Sequence, residues 1–322
     1  MGKSCVIVIT GPTATGKTAV GALLAKSLNG EVVSADSMQI YTHMNIGTAK
    51  PTLLEMQGVP HHMLDIVPPW EDYSVARYTD DAARCVDDII QRGKTPVLVG
   101  GTGLYIDSLL SGREFSARGN PALRMEIEGR YDEIGGEAML RELCEFDPES
   151  AAKLHANDKK RIVRAIETYK TSGKPISQHN VETKSLPPRY GSIKFALTFS
   201  DRSELYAKID RRVDYMLEKG LLDEVRSLID MGVPSGCTAM QGIGYKEMAE
   251  VISGKCDICH AAENIKMESR RYAKRQLTWL RRDTEVIWMK YGERLPMSDD
   301  GLAVAVSMIT SLLLKRSAYE AK

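Results

Sequence analysis

The sequence predicts an α/β protein: a parallel sheet flanked by helices and interrupted once by a helical insertion. Three observations carry that expectation. Short β-branched runs alternate with helix-like segments over about the first hundred residues, the texture of a parallel sheet buried on both faces. The first run, Val6 to Ile9, leads into Gly11-Pro12-Thr13-Ala14-Thr15-Gly16-Lys17-Thr18 and then a helix-forming stretch from Ala19 to Leu28. In that strand–loop–helix context Gly-x-x-x-x-Gly-Lys-Thr forms a phosphate-binding loop. Past Gly112 the strand-like runs stop while helical segments continue, and they resume near Ile193. The expected class is a P-loop NTPase-like core over residues 1–115 and 190–322, with a helical insertion over 116–189.

Each element has a local reason. Ile7-Val8-Ile9 is a continuous β-branched run, as a buried strand should be. Glu31 to Ala35 reads as a second strand, ending at Asp36-Ser37-Met38-Gln39, and Ile46 to Pro51 reads as a loop. Ser74 to Arg92 is helical, with Val75, Tyr78, Ala82, Val86 and Ile89 on one face. Thr95 to Val99 makes a third strand, running into Gly100-Gly101-Thr102-Gly103. Ligands in such sheets bind at the carboxyl ends of the strands, so these loops should meet at one edge. In the insertion, Glu137 to Phe146 and Lys159 to Thr171 are the clearest helices. A strand at Ile193 to Phe199 follows, then helices over Leu205–Lys219, Leu221–Met231, Lys246–Ile252 and Ala261–Trp279. The expected close is a strand at Glu285–Met289 and a helix over Asp300–Lys315.

Composition narrows the class. Lysine plus arginine equals aspartate plus glutamate at 43 each among 322 residues, so net charge alone does not suggest a nucleic-acid partner. Nucleic acid responds to local charge, however, and the stretch from Lys266 to Arg282 holds seven basic residues against the single acid Glu268. Tyr272, Gln276 and Trp279 interleave them, as suits RNA phosphates and unstacked bases. Lys159-Lys160-Arg161 with Arg164 forms a second cluster; for either, a solvated helix face is the plain alternative. No signal peptide or membrane span is legible, and the cytoplasm is the expected location. The six cysteines read as reduced thiols. Cys256-Asp-Ile-Cys259-His260 matches a haem-attachment pattern, but without an export signal or a second metal-ligand pair it reads as a loop entering a helix.

Within the phosphate loop, Lys17 supplies a full charge and the Thr18 hydroxyl can ligate Mg²⁺. Asp36, at the end of the neighbouring strand, can hold Mg²⁺ through water or accept a proton; capping a turn is the simpler reading. Many NTPases place an acid after the third strand. Here Gly100-Gly101 stands instead, which argues against nucleotide hydrolysis and for phosphate as a leaving group. Thr102 lies among glycines that permit close backbone approach. His61-His62 has no metal-like spacing and reads as structural.

Taken together, Gly11–Thr18, Asp36–Gln39, Ile46–Pro51, His61–Tyr78, Gly100–Tyr105, Asn157–Glu167, Gly220–Val225, Gly244–Glu247 and Tyr272–Trp279 resemble the tRNA dimethylallyltransferase family, also called tRNA isopentenyltransferase, of bacterial type. The resemblance covers nearly the whole chain. It implies transfer of a dimethylallyl group from dimethylallyl diphosphate to N6 of adenosine 37, in the anticodon stem-loop of tRNA, with Mg²⁺. It implies that Gly11 to Thr18 hold the diphosphate and that Thr18 meets the metal. Arg212 would neutralise the leaving group, Asp36 would take the N6 proton and Thr102 would position substrate. It further implies RNA contacts at Asp36, Ser37, Met38, Gln39, Thr102 and Arg124, at Lys160, Arg161, Ile162, Val163 and Arg164, and at Met240, Gln241, Gly242, Ile243, Gly244, Tyr245 and Lys246. Arg275 and Arg281 of the basic stripe join them, and a monomer is expected. The sequence departs from the family pattern at Thr42-His43, Lys159 and Leu280. The alternatives are an adenylate isopentenyltransferase acting on free nucleotide, a P-loop small-molecule kinase, or a non-catalytic RNA-binding protein.

Overall fold

The structure, a computed structural model, describes residues 5–112, 120–184, 186–298 and 300–320. The expected boundary at residues 115 and 116 lies outside them. The chain divides into two compact units, Met1–Leu110 with Tyr190–Lys322, and Ser111–Arg189. The first unit begins β1 (Cys5–Thr10), α1 (Lys17–Ser27), β2 (Gly30–Ser34), β3 (His61–His62), α2 (Val75–Gln91), β4 (Thr95–Val99) and α3 (Gly103–Ser111). The Ser74 hydroxyl caps α2 by accepting from the Arg77 N–H at 3.2 Å, and Tyr78, Ala82, Val86 and Ile89 are buried along it.

The second unit is helical among its described residues. It comprises α4 (Pro121–Ile134), α5 (Gly136–Phe146), α6 (Pro148–Ala151), α7 (Lys159–Ser172) and α8 (Ile176–Lys184). Ile127, Met139, Leu143, Ile162 and Ile166 are fully buried and form its core. Phe146 stacks on Tyr169 with ring centroids 4.0 Å apart.

The first unit then resumes with β5 (Gly191–Phe199), α9 (Arg202–Glu218), α10 (Leu221–Asp230), α11 (Tyr245–Ile252), α12 (Ile258–Leu280), β6 (Ile287–Tyr291) and α13 (Gly301–Glu320). Its sheet runs β3-β2-β4-β1-β5-β6, parallel at every pairing. Apolar side chains cover both faces: Val8, Val33 and Leu98 on one, Ile9, Val97 and Phe195 on the other. Each is fully buried, and each contributes roughly 1.5–3 kcal/mol by leaving water. The carboxyl ends of β1, β2 and β4 therefore come to one rigid edge.

Several elements differ from expectation. β3 is only two residues long and sits where the histidine pair seemed merely structural. α3 follows directly on the glycines after β4. α12 begins at Ile258 rather than Ala261, because the Asp257 carboxylate caps it by accepting from the His260 N–H at 2.9 Å. No helix of the described residues is long and apolar enough to cross a membrane.

Candidate active site

The phosphate loop leaves β1 at Gly11, whose backbone has φ 139°. A Cβ there would stand 2.2 Å from the Leu197 carbonyl oxygen, so only glycine lets the loop pass β5 this closely. The loop is braced from within and from α12. Thr15 Oγ1 donates to the Pro12 carbonyl at 2.9 Å, and the Thr13 N–H donates to Gln276 Oε1 at 3.0 Å. The Gln276 amide donates at 2.9 Å to the Gly101 carbonyl, linking the loop to the end of β4. Lys17 Nζ, donating to the Pro12 carbonyl at 2.8 Å, folds back over the loop.

At the end of β2 the Asp36 Oδ1 accepts from the Met38 N–H at 2.9 Å and the Gln39 N–H at 3.3 Å. The capping reading is thus realised, and it uses one oxygen of the carboxylate. Thr102 Oγ1 accepts from the Ser37 N–H at 3.1 Å, joining the loops after β2 and β4. Thr13, Lys17, Asp36, Gly101 and Gln276 from these pieces line one open cleft with Arg212 from α9 and Tyr272 from α12. Val32, Ala49, Pro51, Leu64 and Val99 give the same cleft apolar lining.

Charge in the cleft is uneven. Desolvation by the cleft walls pulls the Lys17 ammonium down to about 7; Arg212 pushes the same way and Asp36 opposes. Desolvation also lowers Arg212, again opposed by Asp36. Two cations crowded against one carboxylate are short of negative charge, which is what a diphosphate supplies. Burial, and then the Asp36 charge, push the Tyr272 phenol up to about 12; hydrogen bonding with Thr102 works against them. Tyr272 is therefore a neutral hydroxyl in the lining of the site.

The predicted residues distribute unevenly. Thr13, Lys17, Thr18, Asp36, Gln39 and Arg212 line the cleft, and Thr102 braces it. In the segment 240–246, Met240 and Tyr245 are buried while Gln241 and Lys246 are exposed. In the helical unit Ile162 and Val163 belong to the core, leaving Lys160, Arg161 and Arg164 at the surface. Arg124 is held by the buried Glu167 at 2.7 Å. Along α12, Lys266, Arg270 and Arg271 have carboxylate partners. Lys274, Arg275, Arg281 and Arg282 are exposed without one among the described residues. Sequence reasoning missed Gln276 and His61 as cleft residues. His61 reaches the cleft through its pairing with Val32 in the sheet, which no local sequence signal announces.

The fold and the cleft define a P-loop-like α/β protein whose cleft brings Lys17 and Arg212 together with a carboxylate and apolar side chains. A family model described as IPP transferase matches residues 39–283, and a second, Isopentenyl transferase, matches residues 4–67. The chain is 47% identical over 289 residues to a tRNA dimethylallyltransferase of Acetivibrio thermocellus, covering 89% of this chain and 92% of that one. It is 46% identical over 288 residues to one from Carboxydothermus hydrogenoformans, at the same coverage. Among solved structures it is similar to the tRNA isopentenylpyrophosphate transferase of Bacillus halodurans, with 39% identity, a TM-score of 0.71, and coverage of 99% of this chain and 100% of that one. A eukaryotic dimethylallyltransferase solved acting on tRNA gives 30% identity and a TM-score of 0.79, covering 96% and 80%. The chain belongs to the IPP transferase family, with bacterial tRNA dimethylallyltransferases among its relatives.

Proposed function

We propose that this protein transfers the dimethylallyl group of dimethylallyl diphosphate to N6 of adenosine 37 in tRNA, giving N6-(dimethylallyl)adenosine and diphosphate. One observation carries the reading: Lys17 and Arg212 share a cleft with Asp36, and the end of β4 offers glycines where a nucleotide hydrolase would place an acid. The relatives named tRNA dimethylallyltransferase support it.

The loop Gly11–Thr18 and Lys17 hold the diphosphate, and the prenyl group lies along the wall of Ala49, Pro51 and Leu64. Adenosine 37 is stacked in the anticodon loop and must swing out to reach the cleft. Its N6 attacks C1 of the donor. The N6–C1 bond forms as the C1–O bond breaks, the bonding pair leaves on the diphosphate oxygen, and the N6 proton passes to the Asp36 carboxylate. Arg212 and Lys17 stabilise the charge that grows on the leaving oxygen. Thr102 holds the loop that presents Asp36, with Tyr272 beside it.

Mg²⁺ suits these residues. It needs one or two protein oxygens and takes the rest from phosphate and water. Thr18 and Asp36 line the cleft, and among the described residues no cluster of three or more acidic, histidine or cysteine side chains forms a protein cage. Bound there, the ion supplies further charge neutralisation on the diphosphate.

RNA is met by Lys274, Arg275, Arg281 and Arg282 on the core unit and by Lys160, Arg161 and Arg164 on the helical unit. We take the helical unit, near residues 116–189, as a brace for the anticodon arm, the cytoplasm as the place of action and the monomer as the working form. The test is to incubate the protein with dimethylallyl diphosphate, Mg²⁺ and unmodified tRNA, then cut the RNA with a base-specific ribonuclease and weigh and sequence the fragment that holds position 37. An adenosine carrying one added C5H8 unit at position 37 is the expected product; unmodified RNA beside intact donor would reject the reading.

A further inference from the structure

Glu224 on α10 lies outside the cleft, yet four donors converge on its carboxylate. Oε2 accepts from the Asn45 and Ile46 N–H groups, both at 2.8 Å. Oε1 accepts from the Gly47 N–H at 3.1 Å and from the Tyr245 hydroxyl at 2.6 Å. Three successive backbone N–H groups around one carboxylate form a nest, an arrangement that fixes a loop closely because each N–H constrains the next. Gly47 is part of the fit: a Cβ there would stand 2.5 Å from the Tyr245 ring.

The fastened loop runs straight into the cleft. Gln39 Nε2 donates to the Thr48 and Ala49 carbonyls at 3.2 Å each, so the loop is held from both sides. Ala49 and Pro51 then line the cleft as part of its apolar wall. The other partner of Glu224, Tyr245, belongs to the segment 240–246. That segment touches Met38 as well, since a Cβ on Gly242 would stand 2.5 Å from the Met38 methyl.

We propose that Glu224 is a positioning residue for prenyl transfer: its carboxylate sets the donor wall of Ala49 and Pro51 and ties that wall to the segment 240–246. This rests on the reading of the cleft as a prenyl-diphosphate site. Glu224 touches no reacting atom. Removing it leaves the N–H groups of residues 45–47 without their acceptor, and the wall loses its setting.

The experiment measures steady-state transfer and, separately, calorimetric binding of dimethylallyl diphosphate alone for wild type, Glu224→Ala, Glu224→Gln and Tyr245→Phe, with thermal melting of each. The expected result is a donor KM and Kd raised about tenfold in Glu224→Ala, while tRNA affinity changes by less than about threefold. Glu224→Gln, which keeps an amide oxygen as acceptor, recovers part of the loss, and Tyr245→Phe shows a smaller rise of the same kind. A Glu224→Ala protein that is folded and binds donor like wild type overturns the proposal, even if it melts at lower temperature. Should Glu224→Ala fail to fold, unchanged donor affinity in both Glu224→Gln and Tyr245→Phe overturns it equally. A wild type that binds donor but modifies no tRNA contradicts the proposed function instead, and the binding series still decides the role of Glu224.

Discussion

Asp36 carries two tasks that substitution can separate. Its Oδ1 caps the turn through Met38 and Gln39, and in the proposed reaction the carboxylate takes the N6 proton. Asp36→Asn keeps an acceptor oxygen for the turn but no longer a base. Its kcat should fall about 10²- to 10⁴-fold with tRNA affinity within about twofold of wild type. Filter binding alongside single-turnover kinetics checks this; normal chemistry with lost RNA binding would assign Asp36 to recognition instead. Lys17 gives a pH signature. In the ligand-free site its ammonium is brought to about 7 from 10.5. Between those values the unfolded chain holds a proton that the folded chain lacks, so this group makes stability rise with pH across that window, and its full penalty lies below about pH 7. A diphosphate selects the charged form. Donor affinity should therefore weaken as pH rises above about 7, approaching tenfold per unit, with proton uptake on binding. Titration calorimetry from neutral to alkaline pH reads both quantities, and a flat profile would contradict a charged Lys17 as ligand.

At the scale of elements, α12 ties the site together. Gln276 is 7% exposed and serves both the Thr13 N–H and the Gly101 carbonyl. Gln276→Leu leaves both unpaired, at about 1–3 kcal/mol each. The expected outcome is a lower melting temperature together with a higher donor KM. The start of β2 depends on another buried side chain. Hydrogen bonding from Arg92 holds the Glu31 carboxylate well below the usual carboxylate range; Lys94 and His62 add to this, and desolvation opposes. A depressed carboxylate contributes stability that is present above its ordinary value near 4.5 and lost as pH falls below it. Acid unfolding of Glu31→Gln should show a shallower slope below that pH than wild type. Such links were not legible beforehand. The β-branched runs around Ile7 to Ile9 and Thr95 to Val99, with the loop motif between helix and strand, announced the sheet. β3 has too few residues for alternation to register, and although Gln276 lies in the Tyr272–Trp279 segment, nothing there pointed to a Thr13 partner 263 residues away. Asp36 and Lys17 were legible because charged groups beside the ends of parallel strands carry chemistry by type and place; Arg212, in the middle of α9, came only from the family resemblance. Their wall, Ala49 and Pro51, is made only by tertiary folding.

At the scale of the whole molecule, zero net charge is compatible with the proposed RNA partner because basic and acidic residues are sorted. The four exposed cations from Lys274 to Arg282 have no acidic partner among the described residues, while Lys266, Arg270 and Arg271 are spent on carboxylates. The binding constant for tRNA should fall steeply with salt, and Arg275→Ala with Arg281→Ala should reduce the logarithmic slope by about one unit per lost phosphate contact. Lys160, Arg161 and Arg164 should behave alike, whereas Arg124, engaged by Glu167, should contribute less. The central claim, a diphosphate-gripping cleft that delivers its prenyl group to RNA, is tested most directly by partition of label. Labelled dimethylallyl diphosphate is offered to one enzyme sample with tRNA bearing A37, tRNA bearing G37 and AMP together. Label confined to the A37 tRNA is the predicted result; label in AMP, with the A37 tRNA left bare, would contradict it.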